Sequence, residues 1–331
     1  MATYIIRRLF FMIPVLLLVA LITFTLMRSA PGGPWDRDAD RRQVDPITEA
    51  RLNEYYGLDK PLWRQFMAYV IGDVNSKGKF VCGIVCGNFG PSYRIRGQSV
   101  QDLLFAAPEN KTFWESQFGY SARLGMLALG LAILIGIPLG VIAALKQNTW
   151  VDYISLFVAT AGTSMPNFVI GIFLIFIFAS GLHWVSVLPD WDKPQAWILP
   201  ATVLNFGTMA FTARLTRASM LEVTRQDYVR TARAKGLAER IVIVRHMIKN
   251  ALIPVVTFLG PALAGLVTGS FIIETMFAFP GMGKAYVQAI GQRDYSMIMG
   301  TTMFYAFLVA LANLSVDVVY VFIDPRIRLA D

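Results

Sequence analysis

The sequence predicts an all-α integral membrane protein, and three observations carry that prediction. Hydrophobic residues fill 55% of the 331 positions and charged residues only 16%, where soluble domains carry about a quarter charged. Six uncharged apolar intervals recur along the chain, each near the roughly 20 residues that cross a hydrocarbon core about 30 Å thick. The runs are continuous and do not alternate, so they are helices and not barrel strands. The 30 basic residues are also unevenly placed beside them. With 23 Phe and 7 Trp the chain is not disordered. Two Cys and two His are too few for a disulfide framework or a three-ligand zinc site built on His and Cys.

The first interval, 9–27, lies between Arg8 and Arg28. It exceeds the roughly 7–15 apolar residues of a signal peptide and no A-x-A site follows, so it reads as a retained helix. The others are 124–145, 153–180, 194–213, 250–273 and 295–316. Prolines 138, 166, 254 and 261 interrupt their helical ladders. At one of these breaks, Gly162-Thr163-Ser164-Met165-Pro166-Asn167 places hydroxyls and an amide at mid-membrane. Such groups either line a path or hydrogen-bond between helices, and the pattern leaves both readings open.

Charge placement sets a direction. With the N-terminus cytosolic, fourteen Lys and Arg fall inside: Arg7, Arg8, Lys146, nine in the loop 214–249, Arg326 and Arg328. The short outer loops hold only Lys193, Lys284 and Arg293. Both termini are therefore expected in the cytosol, and topology accounts for the net charge of +8 without nucleic acid. The chain divides into 1–28 (N-terminus and first span), an extracytoplasmic segment 29–117, a five-helix core 118–323 carrying the loop 214–249, and a cytosolic tail 324–331.

In the outer segment, Pro31-Gly32-Gly33-Pro34 ends the first helix. Asp45-Pro46 reads as an N-cap and first helical residue with Gly57 as the stop, and a second short helix starts at Pro61. Leu62, Phe66 and Tyr69 share one face of it, mostly for packing. Cys82 and Cys86, with glycines beside both, fit a disulfide on the oxidising side; two free thiols in a buried turn are the other reading. In the spans, Asp317, Arg214 and Arg217 sit near the cytosolic side and Glu274 near the outer end of the fifth. Intramembrane charges usually pair, so Asp317 is expected to meet Arg214 or Arg217, against the alternative that the arginines snorkel to headgroups.

No bond chemistry is evident. There is no phosphate loop; Gly281-Met282-Gly283-Lys284-Ala285 lacks the first Gly and the final hydroxyl. Neither G-x-S-x-G nor H-E-x-x-H occurs, and His183 and His246 fall on opposite sides of the membrane. No catalytic residue, metal ligand or cofactor is assigned to this chain.

The loop 214–249 holds the most information. In Asp227-Tyr228-Val229-Arg230-Thr231-Ala232-Arg233-Ala234-Lys235-Gly236-Leu237, Asp227 can cap a short helix and Gly236 can end it with positive φ. Periodicity alone divides evenly between a rigid protrusion and a helix held at anionic headgroups. The string from Arg230 to Leu237 resembles the coupling loop of permease subunits from binding-protein-dependent ABC importers of the dipeptide/oligopeptide branch. Similar strings run nearly end to end: Ile6-Arg7-Arg8, Ala30-Pro31-Gly32, Gly57-Leu58-Asp59-Lys60-Pro61, Phe279-Pro280-Gly281-Met282-Gly283, Arg293-Asp294-Tyr295 and Ile323-Asp324-Pro325-Arg326-Ile327.

That resemblance implies a type I ABC importer permease fold in a bacterial inner membrane. It implies a second, homologous permease, two ABC ATPase subunits that hold ATP and Mg, an extracytoplasmic binding protein, and membrane lipid as surroundings. Arg230, Thr231, Ala232, Arg233, Ala234, Lys235, Gly236 and Leu237 would form the ATPase contact, with the small residues permitting close approach. Thr163, Ser164, Met165, Pro166 and Asn167 would be candidates for the path. Of the general E-A-A-x-x-x-G pattern only Ala232 and Gly236 survive, so no glutamate contact carries over. The Cys82–Cys86 stretch looks like an insertion. Peptides are the implied cargo; the same branch also handles nickel chelates, glutathione, opines and oligosaccharides. Outside the branch, a non-transporting scaffold subunit is the competing reading. An ion-coupled carrier is disfavoured, since it needs acidic residues at mid-membrane and the spans offer only Asp317, near one end.

Overall fold

A computed structural model describes residues 2–35, 45–74, 78–186 and 189–323, with side chains between 5 and 319. The tail 324–331 with Arg326 and Arg328, and the start of the charged segment at Asp36, lie outside the described residues. In chain order the helices are α1 (Ala2–Ser29), α2 (Pro46–Tyr55), α3 (Leu62–Val70), α4 (Val100–Phe105), α5 (Gln117–Leu131), α6 (Ile137–Leu145), α7 (Trp150–Ser164) and α8 (Asn167–Leu174). They continue as α9 (Ile198–Thr224), α10 (Asp227–Ala234), α11 (Glu239–Ile241), α12 (Lys249–Val267), α13 (Phe271–Met276), α14 (Met282–Gln292) and α15 (Tyr295–Ile323). Strands β1 (Gly72–Val74) and β2 (Phe80–Cys82) pair antiparallel, Gly72 opposite Cys82.

Among the described residues, five helical stretches are long and apolar enough to cross a membrane, or six if one broken pair counts as a span. The broken pair occupies the third expected interval, which is not one straight helix: Trp150–Ser164 and Asn167–Gly181 meet at 107°. Pro166 is the cause. Its ring pushes the preceding residue out of the helical region, and Met165 sits at φ −87°, ψ 128°. The fifth interval is also shorter than expected. α12 stops at Val267, Gly269 takes φ +83°, and α13 restarts as a separate turn. Elsewhere the chain absorbs local misfit as wide π-turns at Ala132–Gly136, Ile175–Gly181 and Val242–Ile248. Pro138 follows the first of these, while Pro254 and Pro261 stay inside α12.

The chain forms two compact units. One comprises Met1–Arg8, Tyr120–Gly283 and Leu308–Asp331, and α9 is its axis. The window within Pro194–Thr224 is 67% buried, against 11% for the first span, so α9 is surrounded by protein. Small residues let neighbours approach its backbone. A Cβ on Gly140 would lie 2.5 Å from the Ala213 carbonyl oxygen, and one on Gly162 would lie 2.7 Å from the Ala210 Cβ.

The other unit comprises Leu9–Gly119 and Lys284–Phe307. The segment 29–117 thus packs with most of α1 and with 284–307. Phe66 and Tyr69 of α3 lie against a core of Ala20, Phe24, Met299 and Met303, while Leu62 stays exposed. Pro46 opens α2 and Gly57, at φ +66°, follows its end; Asp45 precedes the helix without a side-chain capping bond. Cys82 and Cys86 are disulfide-bonded across a 3-10 turn. Gly83 admits the Tyr69 carbonyl, which a Cβ would meet at 2.3 Å, and Gly87 leaves the turn at φ +77°.

Candidate functional site

The loop between α9 and α12 is held by one apolar stripe. α10 has eight residues, too few to persist alone in water. Val229 and Ala232, three apart on one face, are buried against Met220, Val242, Met247 and Ala251. The Tyr228 hydroxyl accepts a hydrogen bond from Asn250 Nδ2 at 2.8 Å. Gly236 leaves the helix at φ +74°. At the other end Gln226 occupies the cap position and Asp227 is the first helical residue, so Asp227 does not cap.

Arg230, Thr231, Arg233, Ala234, Lys235, Gly236 and Leu237 are exposed. Arg233 donates to Glu239 at 2.7 Å, and that hydrogen bond raises its pKa above the ordinary value. Arg230 lies 3.7 Å from Asp227. One expectation is corrected here. Ala232 faces its own chain at 4% exposure and is not available to a partner. A short helix with a single apolar stripe has to use that stripe on its own fold. Gly236 needs the freedom of a glycine for its backbone angle, and its α-carbon faces open space, with nothing of the described chain within 4 Å of an added Cβ.

At the 165–166 break, Thr163, Ser164, Met165 and Pro166 are exposed and Asn167 is half-buried. The Thr163 hydroxyl bonds within its own helix, to the Ala159 and Thr160 carbonyls. The break rests on α9, where Gly207 leaves room beside the Asn167 side-chain oxygen. No hydrogen bond from the Ser164 side chain to another helix occurs among the described residues.

The charges pair differently from the expectation. Arg217 grips Asp152 with two hydrogen bonds, Nε to Oδ1 at 2.5 Å and Nη2 to Oδ2 at 2.7 Å. Asp317 pairs with Arg8, at 2.6 Å. Arg214 is exposed, its guanidinium carbon 5.3 Å from the Phe211 ring centroid. The predicted link from Asp317 to Arg214 or Arg217 is therefore replaced by two ties, α9 to α7 and α15 to α1. Arg217 is turned towards the first turn of α7, where the almost fully buried Asp152 also accepts from the Asn148 N–H at 3.0 Å. Sequence reasoning missed Asp152 because it lay one residue before the third uncharged run; an acid in a first helical turn was the available signal.

Glu274 is fully buried. Ser121 Oγ donates to it at 2.9 Å and accepts from the Met282 N–H at 2.9 Å. Gly269 and Gly281 leave the space for its carboxylate: added Cβ atoms would stand 1.9 and 2.4 Å from Oε1. The Phe279-Pro280-Gly281-Met282-Gly283 string is thus anchored on an acid in α13.

Comparison with known proteins adds to this geometry. Residues 136–329 match the family described as binding-protein-dependent transport system inner membrane component. Residues 1–109 match the N-terminal model of such membrane components. The chain is 41% identical over 329 residues to the dipeptide transport system permease protein DppB of Bacillus subtilis (strain 168), covering 99% of each. It is 39% identical over 332 residues to the oligopeptide transport system permease protein OppB of Escherichia coli (strain K12), covering 99% of this chain and all of the relative. Among solved structures, an inward-facing MetNI methionine ABC transporter chain aligns with TM-score 0.50 at 16% identity, over 63% of this chain and 94% of that one.

Proposed function

The chain belongs to the family of binding-protein-dependent transport system inner membrane components, and from that premise we propose that it is the permease subunit of an ATP-driven importer for di- and oligopeptides. It is a multi-pass inner membrane protein that works with other ABC transporter components. Full-length identity to dipeptide and oligopeptide permeases supports the choice of cargo. Both termini lie in the cytosol on this reading, where basic residues concentrate. A second permease completes the path, an extracytoplasmic binding protein delivers peptide, and two separate ATPase subunits bind ATP and Mg.

The observation that carries the mechanism is the two-faced α10. One face is buried in its own bundle through Val229 and Ala232; the other presents Arg230, Ala234 and Lys235. A stiff helix fixed on one side and exposed on the other can pass a push from an ATPase cleft into α9 and α12. ATP has to bind one conformation more tightly than the other for that push to shift the bundle. The exposed Ser164 hydroxyl beside the break would be costly against lipid and suits the wall of a path shared with the second permease.

Paired substitutions on the two faces test this. Ala234→Asp and Lys235→Glu should insert and melt like wild type yet lose uptake and peptide-stimulated ATP hydrolysis. Ala232→Asp puts a charge into a packed seat and should lower the melting temperature itself. Wild-type uptake in both exposed-face variants would reject α10 as the ATPase contact.

A further inference from the structure

The unit made of 9–119 and 284–307 contains a half-open cavity of about 520 Å³, within the range of small-molecule sites. One wall is aromatic. Tyr55, Tyr56, Phe89, Tyr93 and Tyr295 line it, with ring centroids 4.5 Å apart for Tyr56 and Tyr93 and 6.0 Å apart for Tyr93 and Tyr295. Trp35 stacks behind Tyr93 at 5.6 Å. Such a wall accepts a flat or apolar group.

Two donor atoms on lining residues have no hydrogen-bond partner among the described residues. Arg28 gives one N–H to Gln65, and its guanidinium carbon stands 5.2 Å from the Tyr295 ring centroid, but its Nε is buried without a hydrogen-bond partner. The Tyr69 hydroxyl is buried and unpartnered too. Burial raises its pKa above the ordinary value, so it remains a neutral donor. Buried unsatisfied groups are few in native folds, and two on one cavity point to an acceptor that belongs there. The charges of opposite sign differ in commitment. Asp73 is taken by Lys60 at 2.8 Å, whereas Glu54 also lines the cavity and forms no salt bridge among the described residues.

We propose that this cavity binds a small zwitterion with an aromatic or apolar side group, its carboxylate received by Arg28 and Tyr69 and its ammonium by Glu54. The site stands apart from the transport reading and would hold if the cargo were of another kind.

The test titrates the full chain in phosphatidylcholine nanodiscs with L-phenylalanine, and with 3-phenylpropionate and phenethylamine, which lack the ammonium and the carboxylate respectively. Calorimetry or saturation-transfer NMR should show saturable phenylalanine binding, with each singly charged analogue at least about tenfold weaker. Tyr69→Phe keeps the ring and should weaken phenylalanine and phenylpropionate about three- to tenfold while leaving phenethylamine unchanged. Glu54→Gln, at an exposed position, should do the reverse. Absence of saturable phenylalanine binding, equal binding of all three probes, or displacement by added phosphatidylethanolamine would each overturn the proposal.

Discussion

Taking away the Asp152 carboxylate would leave the Arg217 cation without the partner it grips inside the bundle. The Asp152 side chain is 3% exposed and that of Arg217 22%, so the pair is desolvated on one side and partly wet on the other. Breaking a buried pair costs about 3–5 kcal/mol, and the wet arginine places this one at or below the lower end. Asp152→Asn should therefore lower the melting temperature in detergent, and adding Arg217→Met should recover much of the loss. A double variant as unstable as the single would show that the pair is not what holds α7 to α9. A milder case is Asp73, whose pKa is lowered first by the hydrogen bond from Lys60 and then by the Val74 N–H. A carboxylate with a depressed folded pKa stabilises fully above its unfolded value and loses that contribution as pH falls through the folded one. Hydrogen-exchange protection of β1 and β2 should accordingly exceed that of Asp73→Asn at pH 7, and the difference should vanish as the pH drops below 3.8 and through the lowered value.

Helix breaks were partly legible at the level of elements. Pro166 marked a break, and the structure supplies its size: two helices at 107°. Each half has fifteen residues, about 22 Å at 1.5 Å per residue, so neither crosses a 30 Å core alone. Pro166→Ala restores an N–H and lifts the restriction on Met165, so α7 should extend towards α8. Cysteines placed at 163 and 167 should then change their accessibility to membrane-impermeant thiol reagents, and unchanged labelling would mean that packing on α9 holds the bend. Gly269 was the less visible break. Its positive φ and the Glu274 carboxylate against it divide α12 from α13, yet a single glycine in an apolar run gives no sign of either. The eight residues of α10 were legible from Gly236, whereas the seat of Ala232 was not, because the groups that bury it come from α9, the π-turn Val242–Ile248 and α12.

For the whole molecule, the bent pair decides the parity of crossings. Six crossings put both termini on one side; five put them on opposite sides. The proposed orientation needs α7 and α8 together to cross once. Reporter fusions at the two ends should both report the cytosolic side. An extracytoplasmic signal from one end would mean that the pair doubles back and that the charge rule has been misread across it.

Composition and spacing alone determined that the chain lives in a membrane as helices, that Pro166 breaks one of them and Gly236 ends another, and which loop resembles a coupling element. Those features follow from hydrophobic run length, from proline and glycine backbone limits, and from strings of neighbouring residues, all of which are local along the chain. Only the tertiary structure decided that Asp317 meets Arg8, that Arg217 meets Asp152, and that Ala232 is turned inward. A side chain's partner depends on the rotation and crossing of helices hundreds of residues apart, as those of Arg8 and Asp317 are. Several nearby opposite charges satisfy the same pairing rule, and packing selects among them.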